Sequence, residues 1–420
     1  MEEILTSQGH TLVDNPSEAD VVIVNTCSFI AAARAETAAV LQELGRQKQP
    51  GQRLLAVGCM AASHPDLLRT LPEIDGTLST HHWPQIGALV APPAEPGAET
   101  YTDWRMAPFR RQKQGPSAFL KISDGCNLQC AFCTIPHFKG PLNSKPPATI
   151  VQEAQELVAQ GVQELILVAQ HLTAYGQDLG LQDGLACLLD LLCTSLPTDV
   201  WLRLMYAYPQ TITPRLITTM AHYPQICAYL DLPLQHAHPE TLQRMNRPSN
   251  IAQTKEIIAT LRASIPNLTL RSTFIVGFPG ETRTEFQTLL AFLSELKLDR
   301  VGVFRYSNEP GTPAAKLPHQ VSPKIIERRW QQAMQLQQAI SLRRNEEWQG
   351  RSLLVLVEGQ GTTDDGQPLS VGRSFRDAPE VDGQVFIWGQ APLGKRVEVQ
   401  ITHATEYDLW GRISPPSSAL

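Results

Sequence analysis

Apolar residues fall into two rhythms along this chain. Through the first ninety residues, and again from about 117 to 306, short apolar runs of strand length alternate with longer segments. In those longer segments apolar positions recur every three or four residues, the spacing of an amphipathic helix. DVVIVNTC (20–27) and RLLAVGC (53–59) are runs of the kind that buried parallel strands show. AAARAETAAVLQELGRQ and HPDLLRTLPEI read as the helices that follow them. This β-α-β-α order predicts a small doubly wound sheet, whose sites form at the carboxyl ends of its strands. Cys27 and Cys59 stand at those ends.

The second stretch repeats the rhythm six times. Its strand candidates are SAFLKIS, ELILVAQ, WLRLMYAYP, YLDLPLQ, LTLRSTFIVGF and RVGVFRYS, with helices such as TIVQEAQELVAQG, TPRLITTMAHY, QTKEIIATLRAS and TEFQTLLAFLSELK between them. Six βα units are fewer than the eight of a closed barrel, so an open, partial barrel is expected. A polar connecting helix follows at 321–348. From about 351 the rhythm shortens to SLLVLVEG, SVGRS, GQVFIWG and KRVEVQITHAT, which predicts a small all-β barrel. APPAEPGAET (91–100), rich in proline and alanine, reads as a linker.

Composition narrows the class. No apolar run of membrane-spanning length is present and the amino terminus is polar, so a cytoplasmic protein is expected. The formal net charge of −6 lacks the basic excess of a generic nucleic-acid binder. The terminal barrel is more acidic still, with six bases against nine acids between Arg351 and Arg412. Phosphate neutralisation supplies much of the affinity for a nucleic-acid backbone, so this balance suits a basic protein partner better than tRNA. Of eight cysteines, Cys187, Cys193 and Cys227 lie in apolar contexts and are expected to be core residues.

The remaining three crowd into SDGCNLQCAFCTIPHFKG (123–140), as Cys126, Cys130 and Cys133. Three thiolates on one loop after a barrel strand can each bind one iron of a cubane cluster, leaving a fourth iron open to a small molecule. A structural zinc site is the alternative, and His137 is close enough in sequence to serve as a fourth ligand.

This loop resembles that of the radical S-adenosylmethionine superfamily, and the three-part layout resembles its methylthiotransferases. The resemblance covers nearly the whole chain. It implies a flavodoxin-like amino-terminal domain at 1–92, a radical core with its connecting helix at 112–345, and a TRAM domain, an OB-like all-β barrel, at 347–413. It implies a [4Fe–4S] cluster on Cys126, Cys130 and Cys133, with S-adenosylmethionine on the open iron. It matches Cys27 and Cys59 to two ligands of a second [4Fe–4S] cluster. The family's first cysteine should lie at the end of an earlier strand that this sequence lacks, so the second ligand set is incomplete: the amino-terminal domain is expected to be truncated, unless an exogenous ligand or another residue completes the site or the second cluster is absent. Gly277 in FIVGFPGET is an expected contact for S-adenosylmethionine, Gln170 and Thr173 could touch its methionine part or the substrate, and Arg203 and Arg271 on barrel strands could neutralise its carboxylate or pair inside the barrel. Gln235 and His236 are further polar candidates there. No general acid–base pair stands out, and radical hydrogen abstraction, which needs an electron donor, does not require one.

RLMYAYP (203–209), YLDLPLQHAHPETLQRMNRP (229–248) and GVFRYSNEPGTPAAKLP (302–318) resemble the ribosomal-protein branch of that family, the RimO type. That branch implies methylthiolation of the β-carbon of an aspartate in small-subunit ribosomal protein twelve. The rival readings are a tRNA adenosine methylthiotransferase and, in another class, a non-catalytic ribosome- or RNA-binding protein held by a structural metal.

Overall fold

The computed structural model describes residues 1–90, 103–106 and 115–414. The expected linker at 91–100 and the expected start of the core at 112 lie outside the described residues. The fold has two compact units. The first joins the described residues up to 106 with Asp124–Thr149 and Ser307–Ala315; the second holds the rest. The cysteine loop therefore folds with the amino-terminal sheet, a grouping that sequence order hides.

In the first unit, α1 (Glu2–Ser7), β1 (Val21–Thr26), α2 (Ala31–Gln47), β2 (Arg53–Gly58), α3 (Cys59–Ser63) and β3 (Gly76–Ser79) build a three-stranded parallel sheet in the order β1-β2-β3. Strand β2 is buried from Leu54 to Gly58, as a strand covered on both faces must be. Its side chains alternate: Leu54 and Ala56 pack with Leu41 of α2, while Leu55 and Val57 pack with Leu5 of α1. Both faces are thus covered, as a doubly wound arrangement requires. Two details differ from expectation. GTLS forms a third strand too short to show an apolar run, and the helix expected at HPDLLRTLPEI shrinks to Pro65–Arg69. The cysteine loop ends in a short helix, α4 (Ile135–Lys139).

In the second unit, all six expected strands form: β4 (Ser117–Lys121), β5 (Glu164–Val168), β6 (Trp201–Leu204), β7 (Ile226–Asp231), β8 (Thr269–Val276) and β9 (Arg300–Arg305). They pair in parallel in the order β9-β8-β7-β6-β5-β4, an open sheet. Helices α5 (Pro147–Ala159), α6 (Gly184–Ser195), α7 (Pro214–His222), α8 (Ile251–Ser264) and α9 (Arg283–Leu296) connect them, and α10 (Pro323–Glu346) leads on. One large apolar core runs between sheet and helices and includes Cys193. Cys227 is buried beside Trp201 and Tyr229 in a smaller cluster. Cys187 corrects the expectation. It faces away from the buried stripe of α6 and is half-exposed, its thiol 3.6 Å from the Gln182 carbonyl.

The chain ends in β10 (Ser352–Thr362), β11 (Pro368–Ser374), β12 (Val385–Trp388), β13 (Arg396–Ala404) and β14 (Leu409–Ile413), which close into a barrel in the order β10-β11-β12-β14-β13. Strand β14, LWGRI, was not anticipated. Two buried arginines tie this barrel to the open sheet. Glu164 of β5 accepts from Arg203 of β6 at 2.6 Å and from Arg373 of β11 at 2.6 Å, and Arg203 also donates to the Ser374 and Phe375 carbonyls. Among the described residues no helix is long and apolar enough to cross a membrane.

Candidate functional site

The cysteine loop starts two residues beyond the end of β4 and is pinned by its own backbone. The Cys126 N–H donates to the Gly140 carbonyl at 3.1 Å, and the Cys133 N–H to the Cys130 carbonyl at 3.0 Å. The Asn127 side chain accepts from the Leu142 N–H at 2.9 Å. The Ala131 carbonyl accepts from the Ala314 N–H at 2.8 Å, which ties in the 307–315 segment. Gly125 has φ +76°, and a β-carbon there would lie 2.0 Å from the Pro141 carbonyl oxygen, so only glycine lets the two ends of the loop close this tightly. Cys126 is buried, Cys130 and Cys133 are half-buried, and none of the eight cysteines is disulfide-bonded.

Cys27 and Cys59 occupy the carboxyl ends of β1 and β2 in the same unit. Gly58 (φ +123°) makes the turn before Cys59; a β-carbon there would lie 2.8 Å from both the Asn25 Oδ1 and the Thr26 carbonyl oxygen. Thr37 of α2 donates to the Cys27 carbonyl at 3.1 Å. Ile30 offers α2 no side-chain cap, and Glu309 takes that place. Its carboxylate accepts the Ala31 N–H at 2.8 Å and pairs with Arg34 at 2.7 Å.

Lys139, at the end of α4, links the two cysteine sets. Its ammonium donates to Thr80 at 2.8 Å and pairs with the buried Asp124 at 3.1 Å. Burial pushes the Cys59 thiol up, the Lys139 ammonium pulls it back, and the neighbouring Cys27 and Asp124 push it up further. Neither Lys139 nor Asp124 was anticipated. They lie 15 residues apart, and only closure of the loop brings them together.

The barrel candidates divide. Gln170, two residues beyond β5, buries its Oε1 with no hydrogen-bond partner among the described residues, as an acceptor reserved for a ligand would be. Thr173 is committed to the loop that follows β6, 2.6 Å from the Thr211 hydroxyl and accepting from the Tyr208 N–H at 3.0 Å. Arg203 and Arg271 each pair with a carboxylate of the chain itself. Arg203 is fully buried against Glu164 and the terminal barrel. Arg271 pairs with Asp231 at 2.9 Å and approaches Asp382 at 3.4 Å. The Gly277 N–H donates to Glu281, and a β-carbon on Gly277 would lie 2.3 Å from the Ile326 side chain. Gln235 spends its backbone on β8, exchanging hydrogen bonds with Thr273 and Ile275 at 2.8 Å each. His236 accepts from the His238 N–H at its Nδ1, which leaves Nε2 facing Glu281 at 3.5 Å. Glu281, itself paired with Arg329 at 3.1 Å, is the buried anchor of this glycine-rich turn.

Among the described residues, three ligand atoms within 4.8 Å of one another occur only at His238, Glu240 and Glu285. Arg244 already neutralises Glu285 at 2.9 Å, which disfavours a cation there.

Comparison with known proteins agrees with this architecture. The radical SAM superfamily matches residues 120–293, the TRAM domain 350–413, and uncharacterized protein family UPF0004 1–79. A ribosomal protein uS12 methylthiotransferase RimO from Chloroflexus aurantiacus is 60% identical, over 98% of this chain and 95% of its own length. One from Roseiflexus castenholzii is 59% identical, over 98% and 92%. Among solved structures, the radical S-adenosylmethionine methyltransferase TsrM from Kitasatospora setae shares the fold, with a TM-score of 0.56 and 14% identity over 76% of this chain and 78% of that one. An open six-stranded parallel sheet, a three-cysteine loop after its first strand and a terminal TRAM barrel define a radical S-adenosylmethionine enzyme. Within that class the chain belongs to the RimO methylthiotransferase family.

Proposed function

We propose that this enzyme replaces a hydrogen on the β-carbon of an aspartate of ribosomal protein uS12 with a methylthio group, using S-adenosylmethionine as both radical source and methyl donor. The observation that carries this reading is likeness at 60% identity along 98% of the chain, spanning loop, sheet and TRAM barrel together.

Cys126, Cys130 and Cys133 fit a [4Fe–4S] cluster. They are three thiol donors on one loop, held by backbone hydrogen bonds at 3.0–3.1 Å and outside any disulfide. When bound, the cluster supplies the electron that cleaves the sulfonium of S-adenosylmethionine to give a hydrogen-abstracting radical. The chain's own part is to hold the donors and to exclude competing contacts. Gly125 and Asn127 fix the loop.

Cys27 and Cys59 are the proposed protein ligands of a second [4Fe–4S] cluster. Burial and the neighbouring Asp124 hold Cys59 as a thiol despite the Lys139 ammonium, and an iron centre would draw the pair into the thiolate form that a metal ligand needs. An external one-electron donor completes the system. We assign the work to three parts: 1–92 for the second cluster, 112–345 for radical chemistry and 347–413 for substrate docking.

The charge of the TRAM barrel supports a protein substrate. Arg373 and Arg376 are buried, and Arg396 turns inward toward Asp199 at 3.4 Å. Half of the module's bases are thus unavailable to a phosphate backbone, while Asp364, Asp365, Glu380 and Glu398 are exposed. Replacing Cys126, Cys130 or Cys133 with Ala tests the radical site. Each variant should lose reductive cleavage of S-adenosylmethionine, and cleavage at the parent rate would overturn the ligand assignment.

A further inference from the structure

The TRAM barrel wears aromatic rings on its outside. Strands β12 and β14 pair in parallel, with Phe386 opposite Trp410 and Trp388 opposite Arg412. Alternation sends Val385, Ile387 and Leu409 into the barrel core. The same alternation turns Phe386, Trp388 and Trp410 outward. The Phe386 and Trp410 rings stack with centroids 4.5 Å apart and planes at 22°. Trp388 leans on Trp410 at 5.3 Å and is 37% exposed. Leu369 and Val371 of β11 stand beside Trp388 and Phe386 in register and extend the apolar face.

These rings do nothing for the barrel's own core, which closes without them around Leu353, Val355, Val385 and Val399. A contiguous apolar face on a folded surface marks an interaction site. Its chemistry and surroundings say what it receives. Aromatic faces attract lysine and arginine side chains. The hairpin between β10 and β11, which leads into Leu369, carries the exposed Asp364 and Asp365, and Glu398 is exposed on β13. Arg412 is the one lysine or arginine that the described register places on this face. A nucleic-acid platform would need more cations to follow the phosphates.

We propose that the Phe386–Trp388–Trp410 face is the dock for a lysine- and arginine-bearing segment of the protein substrate, its cations lying on the rings between the flanking carboxylates. This rests on the protein-substrate reading above. It adds the residues that set specificity, on a surface outside the radical chemistry.

The test uses the full chain, reconstituted anaerobically, with fluorescently labelled uS12 and, separately, a labelled single-stranded RNA. Binding is followed by anisotropy. Trp388→Ala should weaken uS12 binding about tenfold, equivalent to about 1.4 kcal/mol, and raise KM with kcat little changed. Trp388→Phe, which keeps a ring, should restore most of the affinity. Cleavage of S-adenosylmethionine without substrate should match the parent in both variants, which excludes a folding defect. Equal uS12 affinity in Trp388→Ala would overturn the proposal. RNA binding tighter than uS12 binding, and lost in Trp388→Ala, would also overturn it and give the face to nucleic acid. If uS12 binds through the rings yet gains no methylthio group, the dock stands and the reaction reading fails. If uS12 is modified with an unchanged KM in Trp388→Ala, the reaction stands and the dock fails.

Discussion

Gly125→Ala is the sharpest perturbation of the radical loop that leaves every thiol in place. The new β-carbon would sit 2.0 Å from the Pro141 carbonyl oxygen and 2.7 Å from that of Gly140. An ordinary carbon–oxygen contact is about 3.3 Å or longer, so the two ends of the loop must part by about 1 Å or more. Metal ligands tolerate displacement of only about 0.2 Å. The left-handed backbone at φ +76° adds about 1–2 kcal/mol for a residue with a β-carbon. Overpacking adds about 1–3 kcal/mol more. Both the Cys126 anchor to Gly140 and the spacing of the three thiols should fail. The assay is anaerobic reconstitution, with iron and sulfide counted per chain and 5′-deoxyadenosine measured after addition of a reductant. Gly125→Ala should lose the loop's share of the iron and nearly all cleavage. Gly180→Ala is the control. Its φ of +71° carries the same backbone cost, but a β-carbon there meets nothing within 4 Å. That variant should lose about 1–2 kcal/mol of stability and no iron. If Gly125→Ala bound iron and cleaved S-adenosylmethionine like the parent, the tight loop closure would not be what holds the cluster.

Other outcomes follow from the same geometry. Cys27→Ala or Cys59→Ala should lower the iron content and abolish methylthiolation while leaving cleavage of S-adenosylmethionine in place; iron quantified beside 5′-deoxyadenosine checks this, and unchanged methylthiolation would remove those residues from the chemistry. Glu164→Gln leaves the buried Arg203 without its carboxylate and should cost about 3–5 kcal/mol in urea unfolding of the metal-free chain at pH 7. The two flanking guanidinium groups outweigh burial and hold the Glu164 carboxyl at about 2, below its ordinary 4.5. Its contribution is therefore complete above about pH 5 and fades as pH falls from 4.5 toward 2. The gap between parent and variant should be flat from pH 7 to 5 and narrow below that, and a gap that widened on acidification would refute the pairing.

Much of the architecture was legible in the sequence because parallel strands covered on both faces must be continuously apolar. ELILV shows this most plainly, whereas SAFLK and RVGVFR keep exposed residues and were legible from the repeated βα rhythm around them. GTLS and LWGRI were not, being short edge or barrel strands whose identity comes from their neighbours. Cys126, Cys130 and Cys133 were legible because the loop carries its chemistry within eight residues. The arginines were not. A strand arginine can serve a ligand or a distant partner, and the sequence does not say that Arg203 meets Ser374 and Phe375, or that Arg271 faces Asp382. Gly277 has a structural role of its own that the sequence does not show. Glycine there relieves crowding against Ile326 and leaves its N–H to Glu281. The Lys139–Asp124 pair and the Glu309 cap on α2 arise only when separated segments close into one unit.

The central claim is that uS12 is the substrate, and mass spectrometry tests it most directly. The reconstituted enzyme would receive S-adenosylmethionine and a reductant, with uS12 in one reaction and unmodified tRNA in the other. The account predicts replacement of one hydrogen by a methylthio group on a single aspartate of uS12, with tRNA unchanged. A methylthio group found on tRNA, with uS12 unchanged, would contradict it.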